Sequence, residues 1–192
     1  MKNSLPSGEI VTRNLRVLDI AALNKTYDSL SDKSKRFFHP GFLGFKSANL
    51  TWFLAQLALA TSCFGFLRKP LVRIYPLAAI LAIVSTDRKG KIIGFAFIKR
   101  KSSNIGERTL GELGIFVIDS YSGKHVGSSM MKRLLSLAKM SSFQKICLTV
   151  LTDNIQAINL YQKFDFVKKR LVLKGDLWKG KKFDYFEMCL NV

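Results

Sequence analysis

The stretch from Gly111 to Lys139 constrains the fold of this chain more than any other. Glu112 to Ile118 is an apolar run that reads as a strand, and Ser122-Gly123-Lys124-His125-Val126-Gly127-Ser128 is a small glycine-bearing turn. Beyond it Val126, Met130, Leu134 and Leu137 recur at steps of four, four and three, one face of a helix. The helix therefore starts inside the Gly/Ser run, with its first backbone N–H groups unpaired. Lys124 and His125 stand at that end with no acid beside them. Cations there oppose the helix dipole at a cost of roughly 0.3–1 kcal/mol each. The placement makes sense once an external anion occupies the turn, as a phosphate does at a helix N-terminus.

Around this unit the pattern reads as alternating strands and helices. Glu9 to Val17 is expected as a strand and Leu18 to Leu30 as a helix, followed by an aromatic and basic loop over 31–45 and an uncharged helical run over 50–67. Leu77 to Thr86 and Lys91 to Lys101 read as a hairpin across Asp87-Arg88-Lys89-Gly90. After the strand at 110–119 and the helix at 125–140 come a strand at 145–151 and a short helix opened by Asp153 with Gln156 three residues on. Strands at 166–173 and 183–190, joined by a loop over 174–182, close the chain. The order β-α-α-β-β-β-α-β-α-β-β indicates an α/β sheet domain, expected as one unit over residues 1–192.

Composition narrows the classes. Hydrophobic content of 48% without low-complexity tracts argues against disorder. The net charge of +18 is spread over both halves, so it is no detachable basic tail. It favours polyanions in general, but no aromatic-basic recognition motif accompanies it, and no specific nucleic-acid partner is expected. Cys63, Cys147 and Cys189 show no metal spacing and read as small core residues rather than a disulfide framework. With His39 and His125 as the only histidines, no metal site is expected. The polar first residues lack a signal-peptide core, which makes the cytoplasm the default location. Leu50 to Leu67 leaves two alternatives open: a buried core helix, or a helix making weak contact with an anionic membrane surface through the basic residues that follow it.

Two blocks carry a family resemblance. The turn Ser122, Gly123, Lys124, His125, Val126, Gly127 resembles the Arg/Gln-x-x-Gly-x-Gly/Ala acetyl-CoA turn of the GCN5-related N-acetyltransferase (GNAT) superfamily. Asn154, Ala157, Leu160, Tyr161, Lys163, Asp165 and Phe166 resemble its second block, Asn-x-x-Ala-x-x-Leu-Tyr-x-Lys-x-Gly-Phe. The departures are Ser122 for a long polar side chain, and His125 and Asp165 for glycines. The resemblance implies a mixed, mostly antiparallel sheet of about seven strands flanked by about four helices. It also implies acetyl-CoA as co-substrate. The diphosphate would lie on Ser122, Gly123, Lys124, His125, Val126, Gly127 and Ser128, and the pantetheine arm would pair with the backbone of Phe116, Val117 and Ile118. Asn154 would hold the arm from its other side.

For catalysis the resemblance assigns Tyr161 as the acid at the departing sulfur and Glu112 as the base that frees the amine. A glutamate that some members carry on the next strand is Thr149 here. The acceptor would be enclosed by residues 31–47 and 174–182. Their Lys33, Lys35, Arg36, Lys46, Lys174, Lys179, Lys181 and Lys182 suggest a small-molecule amine that carries an anionic group, with Trp178 as a lid, a sugar-stacking residue or simple packing. Solvated surface lysines are the plainer explanation of the same residues. Two alternatives stand beside a small-molecule acetyltransferase: a protein-amine acetyltransferase, and a non-catalytic CoA-binding sensor or adaptor with membrane-surface or polyanion affinity. The oligomeric state is not readable from the sequence.

Overall fold

The computed structural model describes residues 10–38, 80–101, 110–141 and 143–192. Strand β1 (Val11–Asn14) leads through a 3₁₀ turn (Val17–Asp19) into helix α1 (Ile20–Asp28), and α2 (Asp32–Phe37) follows. Strands β2 (Ile80–Thr86), β3 (Ile92–Arg100) and β4 (Leu110–Val117) precede helix α3 (Val126–Met140). Strand β5 (Lys145–Leu151), helix α4 (Ile155–Lys163) and strands β6 (Val167–Trp178) and β7 (Lys181–Asn191) complete the chain. The sheet order is β1-β2-β3-β4-β5-β7-β6, with every neighbouring pair antiparallel except β4–β5. The mixed α/β architecture agrees with the expected one, seven strands and, among the described residues, four helices. The second helix is α2, inside the expected loop. Leu50–Leu67, His39, Lys46 and Cys63 lie outside the described residues.

Local chemistry sets the element ends. The β2–β3 turn closes because Asp87 Oδ1 accepts from the N–H groups of Lys89 and Lys91, both at 2.9 Å, with Gly90 at φ +74°. Helix α2 starts where Ser31 Oγ accepts from Ser34 N–H at 3.2 Å. Helix α4 is capped by Asn154, whose Oδ1 accepts from Ala157 N–H at 3.2 Å, and not by Asp153 as the sequence suggested. The final hairpin turns on Lys179 and Gly180, at φ +48° and +78°, so β6 and β7 run through most of the stretch that had read as loop.

Helices cover both faces. Helix α3 buries Val126, Met130, Met131, Leu134 and Ala138, with Met130 seated against Gly94 of β3. Side chains alternate along a strand, so the neighbouring Phe95 points to the opposite face, where its ring meets Phe116 at 5.9 Å. Phe116 in turn meets Tyr27 of α1 at 6.2 Å and Phe38 after α2 at 4.9 Å. Glu112 shares the alternation of Phe116 and so lies on this α1–α2 face.

One expectation is corrected. Cys147 and Cys189 are not separate core thiols: they face each other in the β5–β7 register and form a disulfide, with Cα atoms 4.1 Å apart. They stand 42 residues apart in sequence, and only strand register brings them together.

Candidate active site

The sheet opens in its middle. Strands β4 and β5 pair only at Leu110↔Lys145, Gly111↔Ile146 and Glu112↔Cys147. Beyond that point β4 stays in register with β3 up to Val117, while β5 stays with β7 up to Leu151, so the two halves of the sheet diverge. The direction of β4's polar groups in the gap follows from two hydrogen bonds. Ile118 N–H donates to Ile93 O at 2.9 Å and Lys101 N–H to Leu110 O at 2.8 Å. Strand backbones alternate their hydrogen-bonding side, so Phe116 and Ile118 spend theirs on β3. Leu113, Ile115 and Val117 direct theirs into the gap, as an open edge for an added extended chain. Of the three residues expected to pair with an extended ligand, Val117 has this orientation and Phe116 and Ile118 do not. Ile115, which sequence reasoning missed, has it too.

The gap continues into a cleft of about 350 Å³ that reaches the start of α3. Ser122, Gly123, His125, Val126, Gly127 and Ser128 line it, together with Asn154 and Tyr161; Lys124 and Ile118 do not. The turn reverses through two left-handed residues, Gly123 at φ +75° and His125 at φ +61°. His125 is the N-cap yet offers no side-chain bond, so the first N–H groups of the helix face the cleft. Ser122 Oγ is engaged with Gln156 Oε1 at 2.9 Å. Gly127 sits where a Cβ would come within 3.2 Å of Leu160 Cδ2, which brings α3 and α4 close together at the cleft.

Tyr161 is carried on α4, its ring 5.9 Å from Phe166 and only 6% exposed. Burial pushes its phenol well above the ordinary tyrosine range, so the hydroxyl keeps its proton. Asn154 does two jobs: Oδ1 caps α4 while the residue lines the cleft.

A second cavity of about 420 Å³ opens on the α1–α2 face and is lined by Arg36, Phe37, Lys101, Glu112, Thr149, Val150, Leu151, Gly175, Asp176 and Tyr185. Phe37, Thr149 and Val150 also line the first cleft, so the two spaces meet there. Tyr161 belongs to one side and Glu112 to the other.

The charges around the second cavity differ from those expected. Of the described basic residues in the two loops, Arg36 alone lines it. Arg36 is paired with Asp153 at 2.5 Å, and Lys179 with Asp32 at 2.7 Å. Lys35 donates to Asp28 O at 2.7 Å, and Lys33 sits over the Phe37 ring. Two carboxylates, Glu112 and Asp176, join the wall. Trp178 lines neither space. Arg36 was among the expected residues, whereas Phe37, Val150 and Asp176 were missed because their convergence depends on α2 and on the length of β6, neither of which periodicity revealed.

Among the described residues the cleft fits an acyl-CoA in kind: N–H donors at the start of α3 with no acid in its first turn, a strand edge that faces the gap and a protonated phenol. No helix among the described residues is long and apolar enough to cross a membrane, and they contain no cluster of three or more His, Cys, Asp or Glu side chains placed to hold a metal ion.

Residues 51–166 match the acetyltransferase (GNAT) family. A spermine/spermidine N(1)-acetyltransferase of Bacillus subtilis is 32% identical over 82 residues, 41% of this chain and 54% of that protein. The chain thus spans about half the length of the curated relatives it matches. Among solved structures, a GNAT-family acetyltransferase from Streptococcus pneumoniae superposes with a TM-score of 0.71 at 22% identity, over 96% of this chain and 100% of that one. The yncA protein from Salmonella typhimurium, in a structure with its cofactor acetyl-CoA, superposes with a TM-score of 0.72 at 16% identity, covering 96% and 94%.

Proposed function

The chain belongs to the acetyltransferase (GNAT) family, and from that premise we propose that it is an acetyl-CoA-dependent N-acetyltransferase acting on a small cationic primary amine. One observation carries the proposal: two cavities meet at Phe37, Thr149 and Val150, one holding the free helix N-terminus and Tyr161, the other Glu112.

Acetyl-CoA, when bound, supplies an acetyl group activated as a thioester. The N–H groups of residues 126–128 hold its diphosphate, and the gap-facing edge of Ile115 and Val117 holds its arm. An alkyl amine with a pKa near 10.4 is about one part in two thousand unprotonated at neutral pH. Glu112, half-buried in the acceptor cavity, takes the excess proton from the ammonium nitrogen. Tyr161 Oη, kept protonated by burial, donates to the sulfur side of the site.

The acceptor's charge follows from the wall. Glu112 and Asp176 line it beside two cations, Lys101 and Arg36, and Arg36 is already matched by Asp153. A cationic amine suits that balance better than the anionic one first expected, and the Bacillus relative's printed substrates, spermine and spermidine, are of that class. A thiol-release assay over spermidine, spermine, short diamines, amino sugars and acidic amino acids tests the proposal. Turnover with the cationic members, at least tenfold lower in Tyr161→Phe, is expected. Binding of acetyl-CoA without turnover of any amine would favour the non-catalytic sensor instead.

A further inference from the structure

Helix α2 is six residues long and buries none of its side chains. Apolar packing therefore does little to hold it, and polar contacts to three other segments take over. Asp32 pairs with Lys179 of the β6–β7 turn at 2.7 Å. Asp119, just after β4, accepts from Ser31 N–H at 3.1 Å and from Ser34 Oγ. Arg36 reaches Asp153 at 2.5 Å, immediately before the cap of α4. The Arg36 guanidinium also lies over the Phe37 ring at 4.9 Å and the Phe183 ring at 4.6 Å.

We propose that Arg36 is a positioning residue that couples the two binding spaces. It pins Phe37, which forms part of the wall common to both cavities, to the Asp153–Asn154 turn on the cofactor side and to Phe183 of β7. The proposal rests on the acetyl-CoA reading above. A ligand that orders Asn154 and the gap also orders Asp153, hence Arg36, hence Phe37 and the acceptor wall. Coupling of this kind is reciprocal, so an amine that orders the wall tightens cofactor binding by the same factor. Arg36 itself touches neither reacting atom. Its side chain is 17% exposed and that of Asp153 is 52% exposed. An ion pair this open contributes little to global stability, so its effect falls on local order.

The test is amide hydrogen exchange of the full chain with and without acetyl-CoA, for the wild type, Arg36→Ala, Arg36→Lys and Asp153→Ala, with calorimetric titration of acetyl-CoA and spermidine KM alongside. In the wild type, acetyl-CoA slows exchange over residues 32–38. In Arg36→Ala and Asp153→Ala that protection disappears while acetyl-CoA affinity stays within about threefold. Spermidine KM rises about tenfold with kcat changed less than threefold, and Arg36→Lys, which keeps the charge near Asp153, restores part of the protection. Equal protection in wild type and Arg36→Ala overturns the coupling, as does wild-type binding of acetyl-CoA without protection of α2. Failure of acetyl-CoA to bind the wild type at all overturns the proposed function itself, and this inference falls with it. Bound acetyl-CoA with α2 protection but no amine turnover defeats only the catalytic part and leaves the coupling standing.

Discussion

His125→Gly should stabilise the protein while sparing the cofactor site. His125 sits at φ +61°, ψ +4°, exposed, at the N-cap of α3, and its side chain makes no capping bond. A residue with a Cβ in the left-handed region costs roughly 1–2 kcal/mol, and histidine is among the side chains that tolerate it better. Glycine removes that cost but adds freedom to the unfolded chain, which returns about 0.4–1 kcal/mol. The balance is a gain of about 0.5–1 kcal/mol. For a chain of 192 residues this is about 1–4 °C in melting temperature. Differential scanning calorimetry measures it, and titration with acetyl-CoA supplies the second readout. Affinity should hold within about threefold, because the N–H donors of residues 126–128 belong to the backbone. A drop in melting temperature would show that the imidazole makes a contact worth more than the strain. A large loss of affinity would show that the side chain, and not the helix N-terminus, holds the ligand.

Three further outcomes are expected. Glu112→Gln should slow turnover of spermidine about a hundredfold near pH 7.5, with the gap closing to within about threefold near pH 10 as the amine loses its proton unaided; parallel pH–rate profiles would contradict the base role. Asp19 is buried, which opposes ionisation, but its bonds from Arg13 and from Arg16 N–H prevail and hold the carboxyl below its usual range. Its contribution is therefore complete above the unfolded carboxylate value of about 3.9 and is lost as pH falls through the lower folded value. Arg13→Ala should accordingly cost about 1–3 kcal/mol at pH 7 and move the acid-unfolding midpoint upward, as followed by circular dichroism; an unmoved midpoint would mean the pair is idle. Reducing Cys147–Cys189, which spans 42 residues, should lower stability in urea by up to about 4 kcal/mol on the chain-entropy estimate, and identical curves with and without reductant would rule that out.

Much of the fold was legible because it rests on local pattern. The α3 periodicity from Val126, the β5 run from Lys145 to Leu151 and the β2–β3 turn at Asp87–Gly90 all fall where alternation and turn chemistry put them. What escaped depends on register and on polar surfaces. Residues 174–178 and 181–182 extend β6 and β7 as an exposed ribbon, so no buried stripe marks them as strand. Helix α2 has no apolar face to announce it, being held by Asp119, Asp153 and Lys179 from distant parts of the chain. That Ile115 and Val117, and not Phe116 and Ile118, face the gap turns on a one-residue alternation that the hydrogen bonds of β4 to β3 reveal. Counting loop lysines likewise says nothing about which basic residues line the cavity, or that Arg36 and Lys179 are already matched by carboxylates.

The most direct measurement is a crystal structure of the protein soaked or grown with acetyl-CoA. The diphosphate should lie against the N–H groups of residues 126–128, the arm along Ile115 and Val117, and the sulfur beside Tyr161 Oη. Density for the ligand anywhere else, or a β4–β5 gap left empty at saturating acetyl-CoA, would contradict the account.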